Sequence, residues 1–374
     1  MTILAKISDL QIDVIERNPG SVKVQDNRMD LGGKIIQGVL RIKTEDGIEG
    51  NAFIGEQGTS SHNQIKLIAS TLKPMLIGRE SSQREWLWSQ LELITGLGQP
   101  INAAWAPVDV ALWDLAGKQS GLSIAEMLGI CKYEIPLYAT YPPRHKSSQG
   151  FIDEAKQLKD EGFQAYKIHP GDMNIRETIT AITRIREEVG DTTTLMLDRN
   201  NGYTLEQALK VGNALDANDY YWFEDPVNVN DYRSIKKLSN SLITPINMSD
   251  SATFLIRQSS HFIAENLVRM IRGTSRKLGI TGLKKLCSMA EGFGLNCEIG
   301  LAGNSLMNAA NLHVIMSVSN CTFFEYWRPE NLHQWGVVNE ISIKSNGKLS
   351  APSEPGLGII LDEDWIQHHR IETI

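Results

Sequence analysis

Three stretches of the chain, TTLMLD (193–198), YYWFED (220–225) and ITPINMSD (243–250), carry a carboxylate at the end of an apolar run. The carboxylates Asp198, Glu224 and Asp250 are separated by 26 residues in both intervals. A (β/α)8 barrel uses about 30 residues for each strand and its helix, so this spacing indicates equivalent positions on three successive strands. Strand ends at one face of such a barrel border a common pocket, and we therefore expect the three acids to lie close together.

This arrangement of acids predicts a metal site. Three carboxylates in one pocket would repel one another unless a cation lay among them. Hard oxygen ligands favour Mg²⁺ or Mn²⁺ over softer metals. The alternative is that each acid only caps the helix that follows its strand.

Short apolar runs from about residue 133 onward alternate with helical patterns, as is typical of βα units. The strand candidates are IPLYATY (135–141), AYKIHP (165–170), TLMLDRN (194–200), YYWFED (220–225), TPINMSD (244–250), NLVRMIR (266–272), GLNCEIG (294–300) and CTFFEYW (321–327). Because most intervals between them carry a helical segment, we predict an α/β fold, a modified (β/α)8 barrel over residues 131–340.

The two ends of the chain are predicted to form an α+β capping domain. Within residues 1–130, alternating runs on both sides of EDG (45–47) indicate a β-hairpin, and apolar residues at helical spacing follow from 62 to 128. Strands followed by helices without alternation are typical of such a unit. Residues 341–374, with two short strands expected around NGK (346–348), are predicted to return to the cap.

The composition is that of a globular protein and argues against several functions. The 374 residues carry a net charge of −7 with no long basic run, so no nucleic-acid partner is expected. Since no apolar stretch approaches the roughly 18 residues of a membrane span, no membrane contact is expected either. The four cysteines form no C-x-x-C pair and are predicted to be buried free thiols of a reducing, cytoplasmic compartment.

Further side chains could perform acid–base chemistry beside the predicted metal. Lys167 and His169 lie two residues apart in AYKIHP and share one face of a strand. A neighbouring cation would lower the pKa of either side chain and make it a usable base. Glu325 ends the run TFFE, where burial would raise its pKa and let it donate a hydrogen bond. Asn200 shares the face of Asp198 and could bind substrate or metal water. Structural roles are the alternatives, for Asn200 that of a turn residue.

A metal, a base on one strand and an acid on another suit the removal of the proton α to a carboxylate. The metal and Glu325 would bind the substrate carboxylate, and the base would remove the α-proton. The metal would also stabilise the resulting ene-diolate.

The motifs together resemble the enolase superfamily, in its mandelate racemase/muconate lactonizing branch. Matching segments occur in order over nearly the whole chain: NAAWAPVDVALWDLAGKQSGLSIAEMLG (102–129), AYKIHPG (165–171), LMLDRNNGYT (195–204), YWFEDP (221–226), PINMSDS (245–251), LGITGLKKLCSMAEGFGL (278–295) and PGLGIILDED (355–364). The resemblance implies the barrel and cap, Mg²⁺ at Asp198, Glu224 and Asp250 (with Mn²⁺ as a substitute), and Glu325 as the acid of the last strand.

The chain departs from this family where catalytic bases are expected. His169 stands where the family has the second lysine of a K-x-K motif, and counting puts the positions of a second acid–base pair at Gly273 and Gly300. A two-base racemase is therefore not expected. A one-base reaction, such as syn elimination of water by His169 or Lys167, remains open. Glu298 shares the face of Gly300 and could be a replacement acid or base, with a structural ion pair as the alternative.

Substrate contacts are expected from loops at the mouth of the barrel. Residues 20–33 and 54–61 match segments that, in the family, close over the site. Arg28 is a candidate for binding an anionic substrate, and His333 is a candidate for substrate contact or a bystander. Near the sixth strand, Arg269 or Arg272 could also meet a substrate carboxylate, and Arg276 stands at a position that is often basic in the family.

These inferences predict a Mg²⁺-dependent lyase that dehydrates a sugar acid and forms a homo-oligomer, with a small carboxylate as its substrate. A cycloisomerase or epimerase is the first alternative. The second is a protein that keeps the fold and the metal but has lost catalysis, which the two glycines motivate.

Overall fold

The computed structural model describes residues 5–24, 30–96, 102–248 and 256–374. The elements before the barrel are the strands β1 (Ile7–Arg17), β2 (Ser21–Val22), β3 (Leu31–Gly32), β4 (Ile35–Thr44) and β5 (Glu49–Ile54), the helix α1 (His62–Leu67), a π-helical turn (Ile68–Leu72), and the helices α2 (Lys73–Leu76), α3 (Arg84–Gly96), α4 (Asn102–Ser120) and α5 (Ile124–Leu128).

The cap is a layer of helices on an antiparallel sheet. β4 pairs with β1 on one side and with β5 on the other, and the β4–β5 connection is the predicted hairpin around EDG. α4 packs against β5 and buries Val108, Ala111 and Leu112. The backbone N–H of Asn51 donates to Asp114 of α4 at 2.8 Å, which ties the two layers together.

The barrel follows as alternating strands and helices, and a short C-terminal segment completes the chain. The barrel elements are β6 (Ile135–Thr140), α6 (Ser148–Asp160), β7 (Ala165–Ile168), α7 (Ile175–Val189), β8 (Thr194–Asp198), α8 (Leu205–Ala217), β9 (Trp222–Glu224), α9 (Tyr232–Ser241), β10 (Ile246–Met248), α10 (Ile256–Ala264), β11 (Met270–Gly273), α11 (Ser275–Gly292), β12 (Asn296–Ile299), α12 (Ser305–Met316), β13 (Phe324–Trp327) and a 3₁₀ turn (Glu330–Leu332). The last elements are β14 (Lys348–Leu349), α13 (Glu363–His369) and β15 (Arg370–Thr373).

The eight barrel strands are parallel neighbours in the order β12-β11-β10-β9-β8-β7-β6-β13. The two end strands, β12 and β13, meet where the backbone N–H of Cys297 donates to Asn320 at 2.7 Å, so the sheet nearly closes. Each strand overlaps one of the eight predicted runs. The predicted fold class is therefore confirmed, and the ends of the strands lie on one face of the barrel.

Period-two alternation stacks two layers of side chains inside this barrel. A lower, mostly apolar layer is formed by Tyr138, Ala165, Met196, Trp222 and Met270. Two residues further along the same strands stand Thr140, Lys167, Asp198, Glu224 and Arg272. The upper layer is therefore polar on every one of these strands, and it lies at the C-terminal mouth.

The barrel and the cap are joined at Asp109 of α4. The backbone N–H of Thr281 donates to this buried carboxylate at 2.9 Å and the Thr281 hydroxyl donates at 2.6 Å. The close approach requires a glycine at 279, whose φ of 63° also interrupts α11. α11 therefore begins at Ser275 and has its kink at Gly279.

The C-terminal segment is shared between cap and barrel. β15 pairs antiparallel with β1, which returns the chain to the cap as predicted. Around NGK only one strand forms, and this strand, β14, pairs with barrel strand β6 instead of the cap. The prediction of two strands there was wrong.

Two smaller predictions concern the cysteines and membrane contact. All four cysteines are free, but Cys131 is exposed, so the expectation that all four are buried was wrong. Among the described helices, none is both long and apolar enough to cross a membrane.

Candidate active site

A pocket of about 240 Å³ opens at the C-terminal ends of the barrel strands. Lys167, His169, Asp198 and Glu224 line it, as predicted from their positions at strand ends. Asn200, Arg272, Glu325 and Trp327 line it as well. The barrel thus gathers most of the predicted polar residues into one cavity.

Lys167 is the centre of an ion cluster in the floor of this pocket. Its ammonium Nζ lies 2.9 Å from Glu224 Oε2, 2.8 Å from Glu325 Oε1 and 3.7 Å from Asp198 Oδ2, and the side chain is 1% exposed. Burial and Arg272 act to lower the pKa of Lys167, but the carboxylates of Glu224 and Glu325 outweigh them and raise it well above its usual range. These contacts favour the protonated form of Lys167, and its role as a base stays a prediction.

Arg272 is the second cation in the floor of the pocket. Its Nε lies 2.8 Å from Glu224 Oε1, and its Nη2 donates to the Tyr138 hydroxyl at 2.8 Å and to Glu325 Oε2. The side chain is 1% exposed. The guanidinium is thus held between two carboxylates that approach it from different strands.

His169 is fixed through both of its ring nitrogens. Nδ1 lies 3.0 Å from the Thr140 hydroxyl, and Nε2 lies 3.0 Å from Asp198 Oδ2. The Trp327 ring packs edge-on against the imidazole at 5.7 Å between centroids. Sequence reasoning did not identify Thr140 or Trp327, although both lie at the ends of predicted strands.

Asp198 is held as a carboxylate. Burial acts to raise its pKa, but His169 and Lys167 lower it to about 2. Its Oδ1 accepts the backbone N–H of Asn200 at 2.7 Å. Asn200 has φ 55° and so combines the turn role with a place in the pocket wall.

Two of the three predicted ligands of a hard divalent cation lie among the described residues. Asp198 and Glu224 are in register on neighbouring strands. Glu224 Oε1 is buried and accepts no hydrogen bond, although Arg272 Nε is close to it. The buried amide of Asn247, in register with Glu224 on β10, also has no hydrogen-bond partner among the described residues. Unsatisfied buried oxygens of this kind suit Mg²⁺.

The third predicted ligand, Asp250, lies outside the described residues. Within the described ranges, no three side chains of His, Cys, Asp or Glu form a complete metal site. The mutual repulsion of the acids is also smaller than expected, because Lys167 and Arg272 balance two of the three charges of Asp198, Glu224 and Glu325. Burial nevertheless raises the pKa of Glu224 well above its usual range.

Glu325 accepts hydrogen bonds and does not donate them in its described contacts. Its partners are the Lys167 ammonium, the Arg272 guanidinium and the backbone N–H of Leu301 at 2.6 Å. Such partners favour the ionised carboxylate. The position of Glu325 in the pocket is as expected, and its role as a hydrogen-bond donor to an oxyanion stays a prediction.

Two predicted site residues lie away from the pocket. Glu298 points below it, where its carboxylate accepts the backbone N–H groups of Thr322 and Phe323, so it closes the barrel seam instead of replacing an acid or base. His333 is buried, with Nδ1 3.1 Å from the Asn308 amide and Nε2 2.9 Å from the carbonyl of Trp327. The structure therefore supports a structural role for both residues.

The two glycines at the counted base positions face different sides of the sheet. A Cβ at Gly273 would lie 2.6 Å from Leu286 of α11, on the outside of the barrel. A Cβ at Gly300 would lie 2.9 Å from the Arg272 guanidinium, inside the pocket. Arg272, and not residue 273, is therefore the inward-pointing residue at the end of β11.

The cap contributes to the mouth through both predicted loops. Val24 and Leu31 of the first and Gln57 of the second line the pocket. Beside Gln57, Glu56 accepts from Arg276 at 2.6 Å across the mouth. Arg28 lies outside the described residues. Of the remaining arginine candidates, Arg269 is bonded to backbone carbonyls of residues 242–244 and does not line the pocket.

Comparison with known proteins agrees with this architecture. Residues 150–365 match the family model described as enolase C-terminal domain-like, and residues 33–129 match the model of the mandelate racemase/muconate lactonizing enzyme N-terminal domain. A D-glucarate dehydratase from Agrobacterium tumefaciens, solved in complex with magnesium, superposes with a TM-score of 0.88 at 25% identity, covering 99% of this chain and 100% of that one.

Characterised relatives span more than one reaction. The arabinonate dehydratase of Saccharolobus solfataricus is 28% identical over 89% of this chain and 90% of its own length. The L-Ala-D/L-Glu epimerase of Bacillus subtilis is 31% identical over 81% of this chain and 82% of its own length. Sequence models, relatives and architecture agree, and the chain belongs to the enolase superfamily, in its mandelate racemase/muconate lactonizing branch.

Proposed function

We propose that this protein removes the α-proton of a small carboxylate with His169 and dehydrates a sugar acid. The observation that carries the proposal is the imidazole fixed between Thr140 and Asp198 in the wall of the pocket. The arabinonate and D-glucarate dehydratases among the similar proteins support the choice of a sugar acid.

A divalent metal belongs to this proposal. Asp198, Glu224 and Asp250 would hold Mg²⁺, or Mn²⁺ in its place, and the bound ion supplies stabilisation of the negative charge that a carboxylate develops when its α-proton leaves. Lys167 and Arg272 act to lower the pKa values of the carboxylates around the site, although burial outweighs them at Glu224 and raises its pKa well above the usual range.

The hydrogen bonds around His169 select the proton-accepting atom. The Thr140 hydroxyl donates to the carbonyl of Lys167 at 3.1 Å, so it accepts from Nδ1–H of the neutral imidazole. Nε2 then carries the lone pair, and it takes the α-proton once its contact with Asp198, 3.0 Å away, gives way to the substrate.

The same nitrogen can complete the elimination. The proton on Nε2 passes to the β-hydroxyl of the substrate, the C–O bond breaks and water leaves. The enol that remains tautomerises to a 2-keto acid, and His169 returns to its neutral form. One base serves both steps, which requires that proton and hydroxyl leave from the same face.

An isomerase is the second candidate, favoured by the similarity to the L-Ala-D/L-Glu epimerase. An epimerase has to return a proton to the opposite face. On the wall opposite β7, the described pocket residues include no proton acceptor. A cycloisomerase, which needs no second base, remains compatible with the pocket.

The test is a panel of mono- and diacid sugars, incubated with Mg²⁺ in D₂O. A 2-keto product detected with semicarbazide supports the dehydratase, and an isomeric product that is heavier than the substrate only by the solvent deuterium it carries supports the isomerase. Absence of both product and α-proton exchange with every acid would contradict catalysis and support a protein that only binds metal.

The substitution of His169 tests whether this residue is the base. We expect His169→Asn to abolish exchange while Mg²⁺ affinity changes much less, because Asn can still hydrogen-bond Asp198. The exposed His62 provides the matched control, as His62→Asn. Full exchange activity in His169→Asn would place the base elsewhere.

A further inference from the structure

The pocket has different chemistry on its two sides. His169 and Lys167 come from β7, and β11 lies four strands away in the eight-stranded order, which places it on the opposite wall. The described lining residues from the β11 and β12 side are Arg272, Arg276 and Leu301. Because a guanidinium keeps its proton in proteins, this described wall carries two hydrogen-bond-donating guanidinium groups, both paired with carboxylates, and no base.

Gly300 makes room for the guanidinium of Arg272. A Cβ at residue 300 would lie 2.9 Å from both Nε and Nη2 of Arg272, closer than real side chains tolerate. The backbone of Gly300 has no positive φ, so its conformation alone does not require glycine. The neighbouring guanidinium is therefore the physical reason for a glycine at this position.

The guanidinium is also held in a fixed orientation. Glu224, Glu325 and Tyr138 contact it from β9, β13 and β6, so three separate strands determine its position. The lower part of the side chain is enclosed by the barrel. A buried and oriented guanidinium of this kind recognises carboxylates better than a mobile lysine would.

We propose that Arg272 is a substrate-binding residue, which Gly300 admits to the pocket and which binds an anionic oxygen of the substrate on the wall opposite His169. The inference deepens the proposed function and rests on it for the identity of the substrate class, a small acid with at least one carboxylate. It adds a stereochemical expectation: among the described pocket residues the base is on the His169 side, so we expect protons to leave and return on that side.

The probe for this proposal is malonate, a small dianion with two carboxylates, titrated calorimetrically in the presence of Mg²⁺. Gly300→Ala retains Arg272 but displaces its guanidinium, whereas Arg272→Gln removes the charge. We expect both variants to bind malonate at least about tenfold more weakly, as for a lost charge-assisted hydrogen bond. Gly292→Ala is the matched control, because a Cβ there meets open space, and its affinity should stay within about twofold.

Unchanged malonate affinity in folded Gly300→Ala and Arg272→Gln would overturn the proposal, as would a wild-type protein that does not bind malonate. If Arg272→Gln fails to fold, Gly300→Ala decides the question alone, since it keeps the ionic partners of Glu224 and Glu325. Deuterium exchange on the acid panel is measured separately. If the two variants lose malonate affinity but the wild type exchanges no α-proton, only the proposed reaction is contradicted. If the wild type exchanges the α-proton but the variants bind malonate as tightly as the wild type does, only the role of Arg272 is contradicted.

Discussion

The Thr140 hydroxyl lies 3.0 Å from Nδ1 of His169 and bridges this ring to the backbone carbonyl of Lys167. Thr140 is fully buried at the end of β6. It touches no part of the pocket surface itself, so its influence on the reaction must pass through the imidazole. Thr140 is therefore a positioning residue, and its contribution can be separated from binding.

We expect Thr140→Val to lower kcat by about tenfold or more with a small change in KM, because the valine cannot fix the tautomer or orientation of His169. The measurement is the pH profile of kcat and of deuterium exchange on an acid that the wild type accepts. Thr140→Ser keeps the hydroxyl and should retain most of the activity. An unaltered pH profile in Thr140→Val would argue against the assignment of Nδ1 as the donor.

Lys167 is expected to stabilise the fold as well as the site. Lys167→Met leaves Glu224, Glu325 and Asp198 without their shared counter-ion, and removal of one partner from a buried ion cluster costs about 3–5 kcal/mol. The free energy of unfolding, measured by urea titration at neutral pH, should fall by that amount.

The control for Lys167→Met is an exposed ion pair. Lys156 lies 3.7 Å from Glu188 on the barrel surface, and loss of such a pair costs about 0–1 kcal/mol. Lys156→Met should therefore unfold at nearly the wild-type urea concentration. Equal destabilisation by the two substitutions would mean that the buried cluster contributes no more than a surface pair.

The strands could be predicted because their sequences are locally unambiguous. A run such as TLMLD is short, is apolar on both faces and ends on a polar residue, and this pattern is typical of a buried parallel strand. Period two then places Asp198 above Met196 and Lys167 above Ala165, so the polar upper layer followed from the strand ends alone.

Side-chain direction beyond the strand ends could not be predicted in this way. Glu298 and Gly300 share a face, but the carboxylate bends down toward the backbone of Thr322 because unsatisfied N–H groups lie there. Arg272 was one of two arginine candidates, and only its contacts with Glu224 and Glu325 distinguish it from Arg269. A long side chain can reach partners on several distant strands, and the spacing of residues in the sequence does not indicate which of these partners it contacts.

The contact between Glu56 and Arg276 is expected to affect substrate binding. It joins the cap to the barrel at 2.6 Å beside Gln57, which lines the pocket. We expect Glu56→Gln to raise KM by about two- to fivefold, the range of a partly exposed ion pair, while kcat is retained. The measurement is steady-state kinetics with an acid from the panel.

The matched control is Glu16→Gln, because Glu16 pairs with Lys34 at 2.9 Å within the cap. That pair does not reach the barrel, and its loss should leave KM unchanged. Equal KM values for Glu56→Gln and the wild type would show that the cap loop is held in place without this contact.

His313 on α12 lies outside the active-site pocket and makes the free energy of unfolding depend on pH. Its Nδ1 accepts the backbone N–H of Ala125 at 3.1 Å, and its Nε2–H donates to the carbonyl of Leu357 at 3.1 Å, so the fold requires a neutral ring. Burial lowers the pKa of His313 from 6.5 to about 4.

Between pH 6.5 and about 4 the unfolded chain binds a proton at His313 that the folded protein does not. The contribution of His313 to the free energy of unfolding is therefore fully present above pH 6.5. It is lost as the pH falls through that window, which lowers the free energy of unfolding by about 3 kcal/mol in all. We expect the free energy of unfolding of His313→Gln, which cannot titrate, to fall less steeply over this range than that of the wild type. His62→Gln, a substitution of an exposed histidine, should follow the wild-type curve. Parallel pH dependence of His313→Gln and wild type would show that the ring at 313 is not held neutral by the fold.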